Sequence, residues 1–176
     1  MRQANVAQLF EYHRERLQLL RVSGNLDAPI AINHQHASPA DLVGHLNLIH
    51  PDRIQVIGAP EVNWATKQHT VRVSRHMEEI IAARPPAVIV ADGCAIQASV
   101  REACEKSDTA LFSTPQSAAV VIDLLRLWLS RQLAETVELH AVMMDVLGMG
   151  VLITGDSAVG KRELALELIS RGHGLV

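Results

Sequence analysis

Aromatic residues are scarce in this 176-residue chain: two Trp, one Tyr and two Phe make up 3% of it, and there are only two cysteines. Cys94 and Cys104 form no CxxC pair and are too few for a disulfide framework or a zinc site, so free buried thiols are expected. Charge of one sign is missing too, since 16 Lys plus Arg face 19 Asp plus Glu for a net of -3. With no polybasic patch either, neither nucleic acid nor an anionic membrane is expected as a partner. Apolar runs such as Ala87 to Ala91 and Val151 to Ile153 fall far short of the ~20 residues that a membrane-spanning helix needs. The opening MRQANVAQLF lacks the unbroken apolar core of a secretory signal, and a cytoplasmic protein is expected. What the chain does have is 48% hydrophobic residues, enough at this length for at least one buried core, which excludes disorder as its general state.

Strand-like and helix-like patterns alternate. The spacing of Val6, Leu9, Phe10, Leu17 and Leu20 predicts an amphipathic helix over residues 3 to 20, with Gly24 marking its exit. Ile30 to Ile32 reads as a short strand. Ser38-Pro39-Ala40-Asp41 offers an N-cap, a first-turn proline and an acid, predicting a helix through about Leu48 that Pro51 stops. Arg53 to Gly58 alternates as a strand, and residues 71 to 83 look helical. After Pro85-Pro86, the β-branched run Ala87-Val88-Ile89-Val90-Ala91 suits a strand covered on both faces. A helix over 95 to 106, a strand at Ala110 to Phe112 and a long helix from Ser117 to Leu133 follow. The fold class expected is α/β, with a mainly parallel sheet and flanking helices, because parallel neighbours need helical crossovers. Polar Ala134-Glu135-Thr136 marks a boundary between a domain at 1-133 and a second at 134-176. The second is too short to hold a core unaided and is expected to be cut short.

The chemistry concentrates in that second part. Gly155-Asp156-Ser157-Ala158-Val159-Gly160-Lys161 is a G-x4-G-K run between a strand-like Met149 to Thr154 and a helix-like Glu163 to Arg171. Composition alone produces such a run in on the order of 1% of shuffled chains. Its glycines let backbone N–H groups line a concave nest for phosphate oxygens, the next helix adds its positive end, and the lysine reaches the outer phosphates. The residue after the lysine is ordinarily Ser or Thr, whose hydroxyl holds magnesium. Here it is Arg162, which has donors only and repels a cation, so no metal ligand is assigned.

Beyond the loop, residues 138–176 (ELHAVMMDVLGMGVLITGDSAVGKRELALELISRGHGLV) closely resemble the opening of the kinase domain of the bacterial HPr kinase/phosphorylase family. The resemblance includes His140, Asp145, Gly148, Glu163, Ala165 to Glu167 and Arg171-Gly172-His173. Upstream, Pro51 to Gly58, Pro85 to Gly93 and Ser113-Thr114-Pro115 resemble that family's N-terminal domain. The resemblance implies an ATP-dependent kinase of a serine in the phosphocarrier protein HPr, regulating carbon metabolism. It also implies a phosphorolytic reversal involving inorganic phosphate and pyrophosphate, Mg2+ as cofactor, and a homohexamer. Carried over residue by residue, His140 and Lys161 match catalytic positions and Gly155 to Arg162 match the nucleotide loop. Ala158 and Gly174 stand where the family pattern has Gly and Arg, and an acidic pair supplying the catalytic base would follow Leu175-Val176. The alternative is a truncated, non-catalytic relative acting as an oligomerising or nucleotide-binding module.

Other polar residues have plainer readings. His34 and His36 are read as surface polar groups, since no carboxylate or cysteine lies at ligand spacing. His45, His50 and His173 are read as helix-end residues favoured by the dipole, and Asp92 as a turn former. Asp145 is placed at a strand end, where acids of α/β folds sometimes bind ligands. Met143, Met144 and Met149 are read as core filling, and Glu163 and Glu167 as solvent partners of Arg162 or Arg171.

Overall fold

The computed structural model describes residues 3–32, 38–134 and 137–176, and the chain divides into two compact units, 1–134 and 135–176. The first unit runs β1 (Ala4–Asn5), α1 (Val6–His13), β2 (Leu20–Ser23), β3 (Pro29–Ile30), a 3-10 turn (Pro39–Leu42), β4 (Val43–His45) and β5 (Ile54–Ile57). It continues through α2 (Ala59–Thr66), α3 (Thr70–Ala82), β6 (Ala87–Val90), α4 (Ala98–Ser107), β7 (Ala110–Ser113) and α5 (Ala118–Gln132). Five strands form its main sheet in the order β2-β7-β6-β5-β4, with β4 to β7 parallel and β2 antiparallel at one edge.

All four residues of β6 are buried, as an unbroken β-branched run demands of a strand covered on both faces. Alternate strand residues feed two cores. Val56, Ile89 and Phe112, in register across three strands, pack with Leu9 of α1 and Val121, Leu125 and Leu129 of α5. Ile57, Val88, Val90 and Leu111 pack with Met77 and Ile81 of α3 and Val100 and Cys104 of α4. The expected α/β architecture with a mainly parallel sheet is therefore the one observed.

Several local expectations give way. The first helix ends at His13, not near residue 20: Asn5 and Gln8 form a reciprocal capping box at its start, Gln18 takes φ +50, and the chain turns so that β2 can pair with β7. The predicted helix after Ser38 is one 3-10 turn, after which Val43-Gly44-His45 runs parallel to Ile54-Gln55-Val56. β-branched Val43 and flexible Gly44 are poor helix formers, and sheet pairing wins. Residues 59–66, given no element in the sequence reading, form α2, with Pro60 in its first turn and Glu61 accepting from the Gly58 N–H at 2.8 Å. Gly24 is required where it stands: at φ +85, an added Cβ would lie 2.1 Å from the Thr109 carbonyl oxygen.

The second unit comprises β8 (Val142–Val146), β9 (Met149–Ile153), α6 (Lys161–Ser170) and β10 (Gly174–Leu175), with strand order β10-β8-β9, all antiparallel. β8 and β9 form a hairpin whose two loop residues, Leu147 and Gly148, both have positive φ, the geometry that matches strand twist. Asp145 belongs to β8, and its carboxylate accepts from the Gly148 N–H at 2.8 Å, closing that loop. Met144 is fully buried, but Met149 is 63% exposed and Met143 also lies at the surface, so core filling holds for one methionine of the three.

Candidate functional site

β9 ends at Ile153, and the chain crosses Thr154 to Gly160 before α6 begins at Lys161. Gly155, Ala158 and Gly160 take φ values of +151, +67 and +87, so the loop turns through backbone states that side chains resist at three positions. Only two of the three are glycine. Gly160 is the N-cap of α6 and has no side chain to satisfy the first-turn N–H groups. Those donors and the positive helix end point toward whatever lies over the loop.

The Lys161 ammonium folds back and donates to the carbonyls of Gly155 at 2.8 Å and Asp156 at 2.6 Å. This pose braces the loop from within. Loop and lysine line a cavity of about 830 Å³ whose opposite side is formed by Glu138, Leu139 and His140. His140, Gly155 to Ala158, Gly160, Lys161 and Arg162 therefore line one cavity. Val159 does not line the cavity; it is 60% exposed, and its Cγ2 would stand 3.1 Å from a Cβ on Gly155.

Arg162 is exposed at the start of α6, on the cavity wall. It adds positive charge and no acceptor, so the residues present do not fit a magnesium ion held by a hydroxyl after the lysine. Among the described residues, no group of three or more His, Cys, Asp or Glu side chains could hold a metal. Glu167 is turned away from the loop and pairs with Arg171 at 2.6 Å one helical turn on. The His173 backbone N–H donates to the Leu168 carbonyl at 3.1 Å just past the end of α6.

In the first unit, the carboxyl ends of the parallel strands gather a second polar group. Asp92, at φ +57 after β6, accepts from the N–H groups of Ala59 at 2.7 Å and Ala118 at 3.1 Å. It thus caps α2 and α5 together, a role that a local turn reading missed. His45 lies in β4 and faces Glu61 at 3.3 Å, while the His50 N–H closes a turn on Asn47; no helix ends at either, so the dipole reading fails for both. His34 and His36 lie outside the described residues. Burial, with the Asp92 and Glu61 carboxylates nearby, pushes the Cys94 thiol up, and burial lifts Cys104 to about 12. Neither is a ready thiolate nucleophile, and both are free.

Two family profiles cover the chain: "HPr Serine kinase N terminus" matches residues 4–129 and "HPr Serine kinase C-terminal domain" matches residues 131–176. Among curated relatives, HPr kinase/phosphorylase of Aromatoleum aromaticum is 59% identical over all 176 residues, and that of an Azoarcus species is 60% identical over the same span. The Burkholderia cenocepacia enzyme of that name is 59% identical over 139 residues. The chain spans 56% of the length of the first two relatives. The two profiles together cover almost the whole chain, and the full-length likenesses agree with them: the chain belongs to the HPr serine kinase family.

Proposed function

We propose that this protein is an ATP-dependent kinase and phosphorylase of a serine in the phosphocarrier HPr, working in the cytoplasm as a homo-oligomer, a hexamer by the family's pattern. The observation that carries the reading is the single cavity shared by Lys161, the Gly155 to Gly160 loop and His140. In the forward reaction, the serine oxygen forms a bond to the γ-phosphorus of ATP, the bond to the bridging β,γ-oxygen breaks, and ADP leaves with that electron pair. The loop N–H groups and the Lys161 ammonium neutralise charge on the transferring group, Lys161 exchanging its two carbonyl partners for phosphate oxygens. His140 stands at the rim, where an imidazole can hold or pass the serine proton. In reverse, an oxygen of inorganic phosphate forms a bond to the phosphoserine phosphorus and the bond from that phosphorus to the serine oxygen breaks; the serine oxygen leaves with that electron pair and takes up a proton, and pyrophosphate is the product. No step is assigned to a metal, because position 162 offers none a ligand.

Incubation of the purified protein with γ-labelled ATP and HPr tests this directly. Label is expected on an HPr serine, to be lost with Lys161→Met and released as pyrophosphate when inorganic phosphate is added. Nucleotide binding without any transfer to HPr overturns the kinase reading and leaves a binding module.

A further inference from the structure

A second concavity, of about 510 Å³, opens in the first unit, well within the ~300–1,000 Å³ of small-molecule sites. Its floor is Ile57 and Val90, the last residues of β5 and β6, so it lies at the carboxyl ends of parallel strands, where open α/β sheets bind ligands. α2, α3 and the start of α4 form its walls, and the turn from Leu46 to Ile49 forms its rim.

The lining has a definite chemistry. It contains no Lys, Arg or Asp, and its one carboxylate is already engaged: Glu61 accepts from the Gly58 N–H and faces His45. Asn47 is engaged as well, donating to the His45 carbonyl and accepting from the N–H groups of Ile49 and His50. Among the described residues, the side chains of Trp64, His76 and Gln97 are the polar lining groups that have no hydrogen bond. An anion would meet no cation here and a cation no free anion, so charge complementarity selects a neutral guest. One wall carries the Trp64 and His76 rings, with centroids 5.5 Å apart. One of the chain's two tryptophans is thus left 41% exposed in a concavity, while the other, Trp128, is buried at 4%. Flat ring faces favour a planar guest, and the free imidazole and amide supply one or two hydrogen bonds to fix its orientation.

We infer that this cavity is a binding site for an uncharged, planar aromatic or heteroaromatic small molecule carrying a hydrogen-bonding group. The site is separate from the phosphate loop and independent of the kinase reading.

The two tryptophans make the test selective. In 15N-labelled full chain, indole and 2-naphthol are titrated while both Trp Nε1–H signals are followed, with naphthalene-2-sulfonate as the anionic control. Saturable shifts of the Trp64 signal with 2-naphthol, a still Trp128 signal, and at least tenfold weaker binding of the sulfonate are expected. Ala65→Phe in α2 fills the cavity and is expected to weaken 2-naphthol at least tenfold. Ala95→Trp, at an exposed lining position, is expected to do the same should the first variant fail to fold. No saturable shift, equal binding of the sulfonate, shifts of both indoles, or indifference to both filling variants overturns the inference. So does a Trp64 signal that moves with protein concentration alone, since a second copy then covers the cavity.

Discussion

Asp92 accepts a hydrogen bond from the backbone N–H of Ala118, 26 residues along the chain, while its other carboxylate oxygen accepts from Ala59. One side chain at the end of β6 therefore anchors the starts of α2 and α5, which flank the sheet. The fit is close, for a Cβ on Gly58 would stand 2.7 Å from Asp92 Oδ2. Both bonds are charge-assisted, and removing them leaves two first-turn N–H groups without an acceptor. Asp92→Ala is expected to destabilise the protein by about 2–3 kcal/mol in urea unfolding. Asp92→Asn keeps one acceptor oxygen and tolerates the left-handed backbone, so its cost should be about half as large.

A buried imidazole makes stability depend on pH. His13 is 1% exposed at the end of α1, edge-on to Tyr12 at 4.9 Å and Trp128 at 5.8 Å, and neither ring nitrogen has a hydrogen-bond partner. Burial, helped by the Arg16 charge, lowers its pKa to about 4 from 6.5. The unfolded chain therefore takes up the proton first as pH falls. Burying the neutral ring contributes fully above pH 6.5, and the contribution is lost as pH drops toward about 4, a change on the order of 3 kcal/mol. Unfolding free energies measured from pH 7 to pH 4 should show this slope. His13→Phe should flatten it without loss at pH 7, because a ring of similar size replaces two unpaired polar atoms.

What was legible in the sequence was whatever is local. The run from Ala87 to Ala91 declares a doubly covered strand, the periodicity from Ser117 to Leu133 declares α5, and the phosphate loop is contiguous and framed by its own strand and helix. β4 was hidden because a three-residue edge strand has no period to read, and its pairing partner, not its composition, decides its state. α2 went unread after the strand that ends on Gly58, although Gly58-Ala59-Pro60-Glu61 carries the first-turn proline and capping acid of a helix start. The double cap by Asp92 joins residues 33 and 26 positions away and leaves no trace in a local window. His140 entered through the family resemblance alone; only the folded hairpin brings it to the loop.

Ala158 holds φ +67 in the phosphate loop, where the family pattern has glycine. An alanine there costs about 1–2 kcal/mol relative to an unstrained backbone. Ala158→Gly relieves that strain but adds freedom to the unfolded chain, which offsets about 0.5–1 kcal/mol. A small net gain in thermal stability is expected. A loss would mean that the surrounding turn, not the residue, sets the loop's conformation.

On the proposed function, Arg162 is expected to decide whether nucleotide binding responds to magnesium. It lines the cavity beside Lys161, so on the proposed reading two positive side chains would face a nucleotide's phosphates where one cation and one hydroxyl are usual. Without a hydroxyl acceptor, a magnesium ion gains no protein ligand at this position and meets added repulsion. ATP affinity of this protein, measured by calorimetry in EDTA and again in Mg2+, is expected to differ by less than about threefold. Arg162→Ser removes one positive charge and restores an acceptor. It should weaken ATP severalfold in EDTA and tighten it at least about tenfold on adding Mg2+, which is about 1.4 kcal/mol. The two effects oppose each other, so their signs separate an arginine that substitutes for the metal from one that merely lies near it. If the unaltered protein already gains tenfold with Mg2+, the ion has ligands other than the residue at position 162, and the arginine is no barrier to it.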